Sequence, residues 1–340
     1  MMSQNMAVWL QNVIKAANKR PMPILSFPSV QLLGISVEDL IGSSDLQARG
    51  MKAVADAAPS LASVSMMDLS VEAQAFGSSI HFSPDEVPTV VGRIIESPED
   101  AEALAIPDLE TARCGLYVEA IRKACGLITD RPVLAGMIGP FSLAGRLMDV
   151  TEIMVCCYTD PQLVHCVMEK VTAFLTTYAL AYRGTGAGGV LMAEPLAGLL
   201  SPELEQEFST PYVKRIVSAV QTESFLVGYH NCGNNVVPMA ESLYDIGAAF
   251  YHFGDSIRLK DMLALSPPNV PVMGNISPSG EFLGGTPESV RRAVYSLMEE
   301  CREYPNFVLS SGCDIPPKTP WENIRAFFAA AGDYSLGRAL

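Results

Sequence analysis

Eight short runs of almost uninterrupted apolar residues recur along the chain, and helical patterns lie between them. The runs are PMPILSF (21–27), LASVSMM (61–67), PVLAGMI (132–138), GVLMAEP (189–195), SFLVGYH (224–230), AAFYHFG (248–254), VPVMGNI (270–276) and NFVLSSG (306–312). A strand with one wet face alternates apolar and polar residues. A strand apolar on both faces must be covered on both, which is the condition of a parallel sheet layered with helices. In 161–182, Val164, Val167, Met168, Val171, Phe174 and Leu175 return at helical spacing, and in 287–301 so do Val290, Ala293, Val294, Leu297, Met298 and Cys301. Asp160 and Thr286 stand before Pro161 and Pro287, each a cap residue followed by proline in the first turn. Thr319-Pro320-Trp321-Glu322 repeats that start signal.

This alternation predicts an α/β fold, a (β/α)8 TIM barrel filling residues 1–340 as a single domain, with 1–20 as an N-terminal helical extension. Two stretches break the rhythm. SSIHFSPDEVPTVVGRII, within 68–110, is expected to form a hairpin inserted after the second strand, and 139–160 an extra short helix after the third. Of the 340 residues 49% are hydrophobic and 18% charged, which suits one large core. A net charge of −14 excludes non-specific binding to nucleic acid or to an anionic membrane. GAGGVLMAEPLAGLL, the most apolar stretch, contains Glu194 and Pro195 and does not read as a membrane span. The first 21 residues lack the apolar core of a secretory signal. The expectation is a cytoplasmic protein with reduced thiols, whose eight cysteines are core residues or metal ligands.

In such a barrel the active site is built at the carboxyl ends of the strands. Those ends are chemically loaded here: Glu194, His230 and Cys232, Asp255, Asn275, and Cys313 with Asp314. His230, Cys232 and Cys313 form the sharpest set. One imidazole and two thiolates suit zinc, and three protein ligands leave a position open for catalysis, whereas closed four-ligand sites are structural. The competing reading makes them two buried thiols and a satisfied strand-end histidine. Glu194 could act as a general acid or orient substrate, or else cap the helix beginning at Ser201. Asn275 could donate to substrate or simply shape a turn. Asp314 could support the metal site from behind or hold a proline-rich turn. His252, in an apolar run, reads as a core histidine, and Cys156 and Cys157 as packing residues. Gly184, Gly186, Gly188 and Gly189 follow a helix and precede a strand, the reverse of a phosphate loop, and so read as a turn.

The C-terminal half resembles the uroporphyrinogen decarboxylase superfamily, and within it the branch of cobamide-dependent methyltransferases. The segments that carry the likeness are His230-Asn231-Cys232-Gly233, Met273-Gly274-Asn275-Ile276-Ser277-Pro278, Gly285-Thr286-Pro287-Glu288-Ser289-Val290, and Ser311-Gly312-Cys313-Asp314-Ile315-Pro316 with Thr319-Pro320 and Glu322-Asn323-Ile324. Gly139-Pro140-Phe141-Ser142 is similar to the superfamily's turn after strand three. The resemblance implies His230, Cys232 and Cys313 as ligands of a catalytic Zn2+, with Asp255 as a candidate fourth ligand; the alternative for Asp255 is to cap the next turn. The decarboxylase branch carries an arginine-rich N-terminal signature for its acidic substrate. The matching region here, RPMPILSFPSVQLLG, offers only Arg20.

The implied activity is transfer of a methyl group between a corrinoid (cobalamin-type) cofactor and a small molecule, either a thiol or other acceptor or a methyl ether- or amine-type donor. The base-off cobalamin motif needs an Asp two residues before a His, and none of His81, His165, His230 and His252 has one. A separate corrinoid protein is therefore the expected partner, and a homodimer is also admitted. The alternatives are a decarboxylase of the same superfamily and a non-catalytic zinc or corrinoid accessory protein.

Overall fold

The computed structural model describes residues 5–338. Among the described residues there are nine strands: β1 (Ser63–Val64), β2 (Ser79–His81), β3 (Thr89–Val91), β4 (Val133–Ile138), β5 (Gly189–Ala193), β6 (Leu226–Asn231), β7 (Phe250–Phe253), β8 (Val272–Ile276) and β9 (Phe307–Ser311). Seven form one parallel sheet in the order β1-β4-β5-β6-β7-β8-β9. Neighbours in sequence are neighbours in the sheet, with helices in the crossovers. β2 and β3 pair antiparallel as a separate two-stranded unit, with Ile80 opposite Val90. After β4 the chain makes two helices, Pro140–Met148 and Val150–Thr159, before the long helix Pro161–Arg183.

The run 21–27 does not become the eighth strand that its apolar pattern predicts, because alternate N–H groups of a strand point to opposite neighbours and two of its own are missing. Met22 N donates to Leu309 O of β9 at 2.9 Å, and Ile24 N donates to the Ser311 hydroxyl at 3.0 Å. The groups that should donate the other way, toward β1, belong to Pro21 and Pro23 and have no hydrogen. On that side only the Pro21 carbonyl takes part, accepting from Leu61 N at 2.8 Å. The segment thus bridges the two edge strands without building a ladder to either.

Every residue of β4, β5, β6, β7 and β9 is buried, as strands covered on both faces must be. The alternation of side chains sorts them into two cores. Leu134, Leu191, Leu226, Phe250, Met273 and Val308 meet inside the curl of the sheet, together with Met22 and Ile24 of the bridging segment. Met6, Leu10 and Val13 of the helix Met6–Lys15 complete that inner cluster, so the N-terminal helix closes the inner core. The opposite faces, including Met137, Met192, Tyr229, Tyr251 and Leu309, pack under the helical layer.

The expected caps are in place. Asp160 accepts from Leu163 N at 3.2 Å, and Thr286 and Ser289 form a reciprocal capping box. Within the glycine-rich turn the positions divide. Gly186, at φ +95°, needs to be glycine for its backbone, whereas Gly189 opens β5 where a Cβ would lie 2.2 Å from Leu226 O across the ladder. Gly189→Ala should therefore destabilise the protein by about 1–3 kcal/mol, since backbone cannot yield as a side chain can. A denaturant midpoint indistinguishable from the parent would contradict this strand spacing.

Candidate functional site

His230 lies near the end of β6, Cys232 follows the strand, and Cys313 follows β9. Parallel pairing puts all these ends on one side of the sheet. The His230 ring nitrogen and the two sulfurs lie within 4.8 Å of one another, the one His/Cys/Asp/Glu cluster of metal-ligating geometry among the described residues. Cys313 Sγ is 3.4 Å from His230 Nε2.

The neighbouring sequence explains how the loops converge. Asn231 Oδ1 accepts from Gly233 N at 2.9 Å while its Nδ2 donates to the Tyr229 hydroxyl at 3.0 Å, which fixes the turn carrying Cys232. A Cβ on Gly233 would meet the Gly198 backbone at 2.5 Å, and one on Gly254 would meet Cys232 Cα at 2.6 Å. On the far side, Gly312 N donates to Ile276 O at 2.7 Å, holding Cys313 against β8.

The donor set fits zinc. Tetrahedral coordination with Zn–N of about 2.0 Å and Zn–S of about 2.3 Å separates adjacent N and S donors by about 3.5 Å. The observed 3.4 Å between Cys313 and His230 is close to this. The lone pair is on the right nitrogen too. His230 Nδ1 is 3.2 Å from the His252 carbonyl oxygen, which can only accept, so Nδ1 carries the proton and Nε2 faces the sulfurs as a donor atom. The proximity of the two sulfurs lowers Cys232 from the ordinary thiol value, and the same neighbour, with burial, pushes Cys313 up to about 12.

The other expected residues stand around this cluster rather than in it. Asp255 is exposed in the loop after β7 and is not among the clustered groups; an added Cβ on Gly312 would come within 2.7 Å of its Oδ1. Asn275 Nδ2 donates to Gly254 O at 2.8 Å and Ile257 O at 3.0 Å, so its amide protons pin the loop that carries Asp255. Glu194 is fully buried, accepting from Ser142 N at 3.2 Å and from the Ser142 hydroxyl at 3.4 Å. It therefore caps the helix Pro140–Met148, not the helix after Ser201, which Ser201 caps itself. Gly139 has no Cβ because one would overlap the Glu194 side chain at about 2.1 Å. Burial pushes Glu194 up to about 8. Asp314 Oδ1 is buried and has no hydrogen-bond partner.

Two acids near the same sheet end were not among the expected residues. Asp68 is buried, paired with Arg113, and accepts from the Tyr117 hydroxyl at 2.7 Å. Glu72 is buried with Oε1 accepting from Ile138 N at 3.0 Å and Oε2 unpartnered. An acid directly after the apolar run 61–67 is the signal that marks Asp68; Glu72 has none, because its partner is a backbone amide. His252, expected only as packing, lies opposite His230 in register. A cavity of about 660 Å³ sits at the other ends of the strands, lined by Pro132, Gly188 and Ser224, and touches none of these residues.

Glu72 supplies a pH test. Burial pushes its pKa to about 7, with Asp68 also raising it and the Ile138 amide and Arg113 opposing. The folded state then binds a proton that the unfolded state, with an ordinary carboxyl, gives up. This contribution to stability is complete below the unfolded pKa and is lost as pH rises through about 7. Glu72→Gln should remove about 3 kcal/mol of the stability lost between acid and pH 8.5, an upper figure for a shift of this size. Denaturant unfolding at several pH values reads it; parallel curves for the two proteins would contradict a neutral buried carboxyl.

Comparison with known proteins places this geometry in a family. The family model for uroporphyrinogen decarboxylase (URO-D) matches residues 29–334. The methylcobamide:CoM methyltransferase MtbA of Methanosarcina acetivorans is 27% identical over 276 residues, 78% of each chain. The uroporphyrinogen decarboxylase of Alcanivorax borkumensis is 25% identical over 309 residues, covering 88% of this chain and 86% of that protein. A solved methyltransferase from Methanosarcina mazei superposes with a TM-score of 0.84 at 24% identity, over 97% of this chain and 99% of its own, and so shares the fold. With nearly the whole described chain matched by one family model, the protein belongs to the uroporphyrinogen decarboxylase (URO-D) family.

Proposed function

We propose that this protein is a zinc-dependent methyltransferase that moves a methyl group between a corrinoid held by a separate protein and a small molecule. The observation that carries the reading is the His230, Cys232 and Cys313 donor set meeting at the strand ends. Similarity alone does not choose, since methyltransferases and decarboxylases match at comparable identity. The donor set favours methyl transfer. Decarboxylation in this superfamily needs no metal, and the N-terminal region lacks the basic cluster that an acidic tetrapyrrole requires, with Arg20 alone there.

We take the sheet together with residues 21–27 as a (β/α)8 barrel, one unit over the whole chain, with the site at its mouth. When bound, a zinc ion supplies Lewis acidity, which favours the thiolate of a bound thiol or polarises a methyl–heteroatom bond. The chain's residues do the rest. Cys232 and Cys313 bring two negative charges that balance the ion, and neutral His230 adds a donor without charge. Asp255, on the exposed loop beside Cys232, is the group we assign to receive a proton released by a thiol. Asn275 holds that loop in place, and Glu194 orders the adjacent helix start at Pro140. The open side of the cluster is left for the small molecule and for a docked corrinoid protein. We take the setting to be cytoplasmic, as expected from the sequence; no helix among the described residues is long and apolar enough to cross a membrane.

Protein isolated from zinc-containing medium should hold about one zinc per chain. Cys232→Ala and Cys313→Ala should each abolish both the metal and methyl transfer from a methylated corrinoid protein to a thiol. A protein that stays metal-free under these conditions and decarboxylates uroporphyrinogen would overturn the assignment.

A further inference from the structure

We propose that His252 and Ser310 are positioning residues, linked to the Met22 carbonyl in a hydrogen-bond relay that holds His230 in the single tautomer able to bind metal. The inference rests on the metal reading above and extends it to residues that touch neither metal nor substrate.

The relay has three links. His230 Nδ1 lies 2.9 Å from His252 Nδ1, His252 Nε2 lies 2.7 Å from Ser310 Oγ, and Ser310 Oγ lies 2.7 Å from Met22 O. Its two ends settle every proton between them. The Met22 carbonyl can only accept, so the Ser310 hydroxyl donates to it. Ser310 Oγ then offers His252 a lone pair, and His252 Nε2 donates its hydrogen there. A neutral imidazole has one donor and one acceptor, so His252 Nδ1 is the acceptor. It faces His230 Nδ1, which must donate. The His252 carbonyl, 3.2 Å from the same nitrogen, is a second and longer acceptor for that hydrogen. Both arguments leave the His230 lone pair on Nε2, the atom beside Cys313.

The placement is built by the sheet. His230 and His252 are register partners on β6 and β7, and their rings meet edge to face at 4.7 Å between centroids. Ser310 is on β9, and Met22 is in the bridging segment, whose own N–H is tied to Leu309. His252 and Ser310 are completely buried, so water does not compete for these bonds. Ligand histidines are commonly oriented through their second nitrogen, and losing such a partner typically costs about 10–100-fold in metal affinity.

The test uses the full chain, nitrogen-15 labelled, with His230 followed in the metal-free protein by long-range proton–nitrogen spectra and zinc binding measured by competition with a chelator. The parent should show one His230 tautomer with hydrogen on Nδ1. Ser310→Ala, which removes a single oxygen, should free the His252 ring, leave His230 Nδ1–H with only the longer contact to the His252 carbonyl, admit the second His230 tautomer and weaken zinc binding by about 10–100-fold. His252→Phe should weaken binding similarly with little change in unfolding. His252→Gln, whose amide can accept from His230 and donate to Ser310, should recover much of the loss. Unchanged His230 signals and zinc affinity in both Ser310→Ala and His252→Phe would overturn the relay while leaving the metal assignment intact. A parent protein that takes up no zinc yet shows the single Nδ1–H tautomer would keep the relay and remove the metal reading.

Discussion

Parallel pairing in sequential order is the constraint on which the rest of this molecule depends. It gathers every carboxyl strand end onto one side, so residues far apart in the chain become neighbours without any dedicated motif to join them. The His230–His252 register is a direct product of that order, and so is the approach of Cys313 from the last strand. The loops can meet only because side chains are absent where they cross. Gly233 lies against Gly198, Gly254 against Cys232 and Gly312 against Asp255. The residues flanking the candidate ligands are thus chosen for what they lack, and the ligands' chemistry is carried on backbone that could not otherwise come so close.

The strand positions were legible because burial on both faces writes itself as continuous apolar sequence, and the helix starts because caps are local. Hydrogen-bond capacity is written less plainly. The prolines at 21 and 23 stand in full view, yet their consequence depends on which neighbour each missing N–H would have faced, a tertiary fact. The candidate trio of His230, Cys232 and Cys313 could be named from residue type and family likeness. What surrounds it could not, since Ile24 finds Ser311 and Ser310 finds Met22 across almost the whole chain. Glu194 illustrates the same limit. A glutamate at a strand end reads as chemistry, and a helix start nearby in sequence reads as its alternative. The helix it serves belongs to the preceding crossover, brought alongside by the pairing of β4 with β5.

The buried acids alter the meaning of the chain's charge. The formal value of −14 counts every carboxyl as ionised. Burial raises Glu72 and Glu194 to about 7 and about 8, and Asp68 is balanced by Arg113. The acidity that solution sees is therefore carried mainly by exposed side chains, while the end of the sheet near the candidate site is closer to electrical neutrality. That is a suitable setting for a centre where two thiolates and a divalent cation would cancel.

The bridging segment near the N-terminus also orders events in time. On the ribosome residues 21–27 emerge well before the strand that accepts the Met22 N–H and supplies Ser310. Through most of synthesis the early segment has no partner, the inner core is open, and the sulfur of Cys313 does not yet exist. Closure of the sheet must then wait for β9, and so would any metal capture that uses Cys313. A nascent chain that still lacks β9 and Cys313 has only two of the three candidate ligands, so occupancy of the proposed centre would report that β9 has joined the sheet.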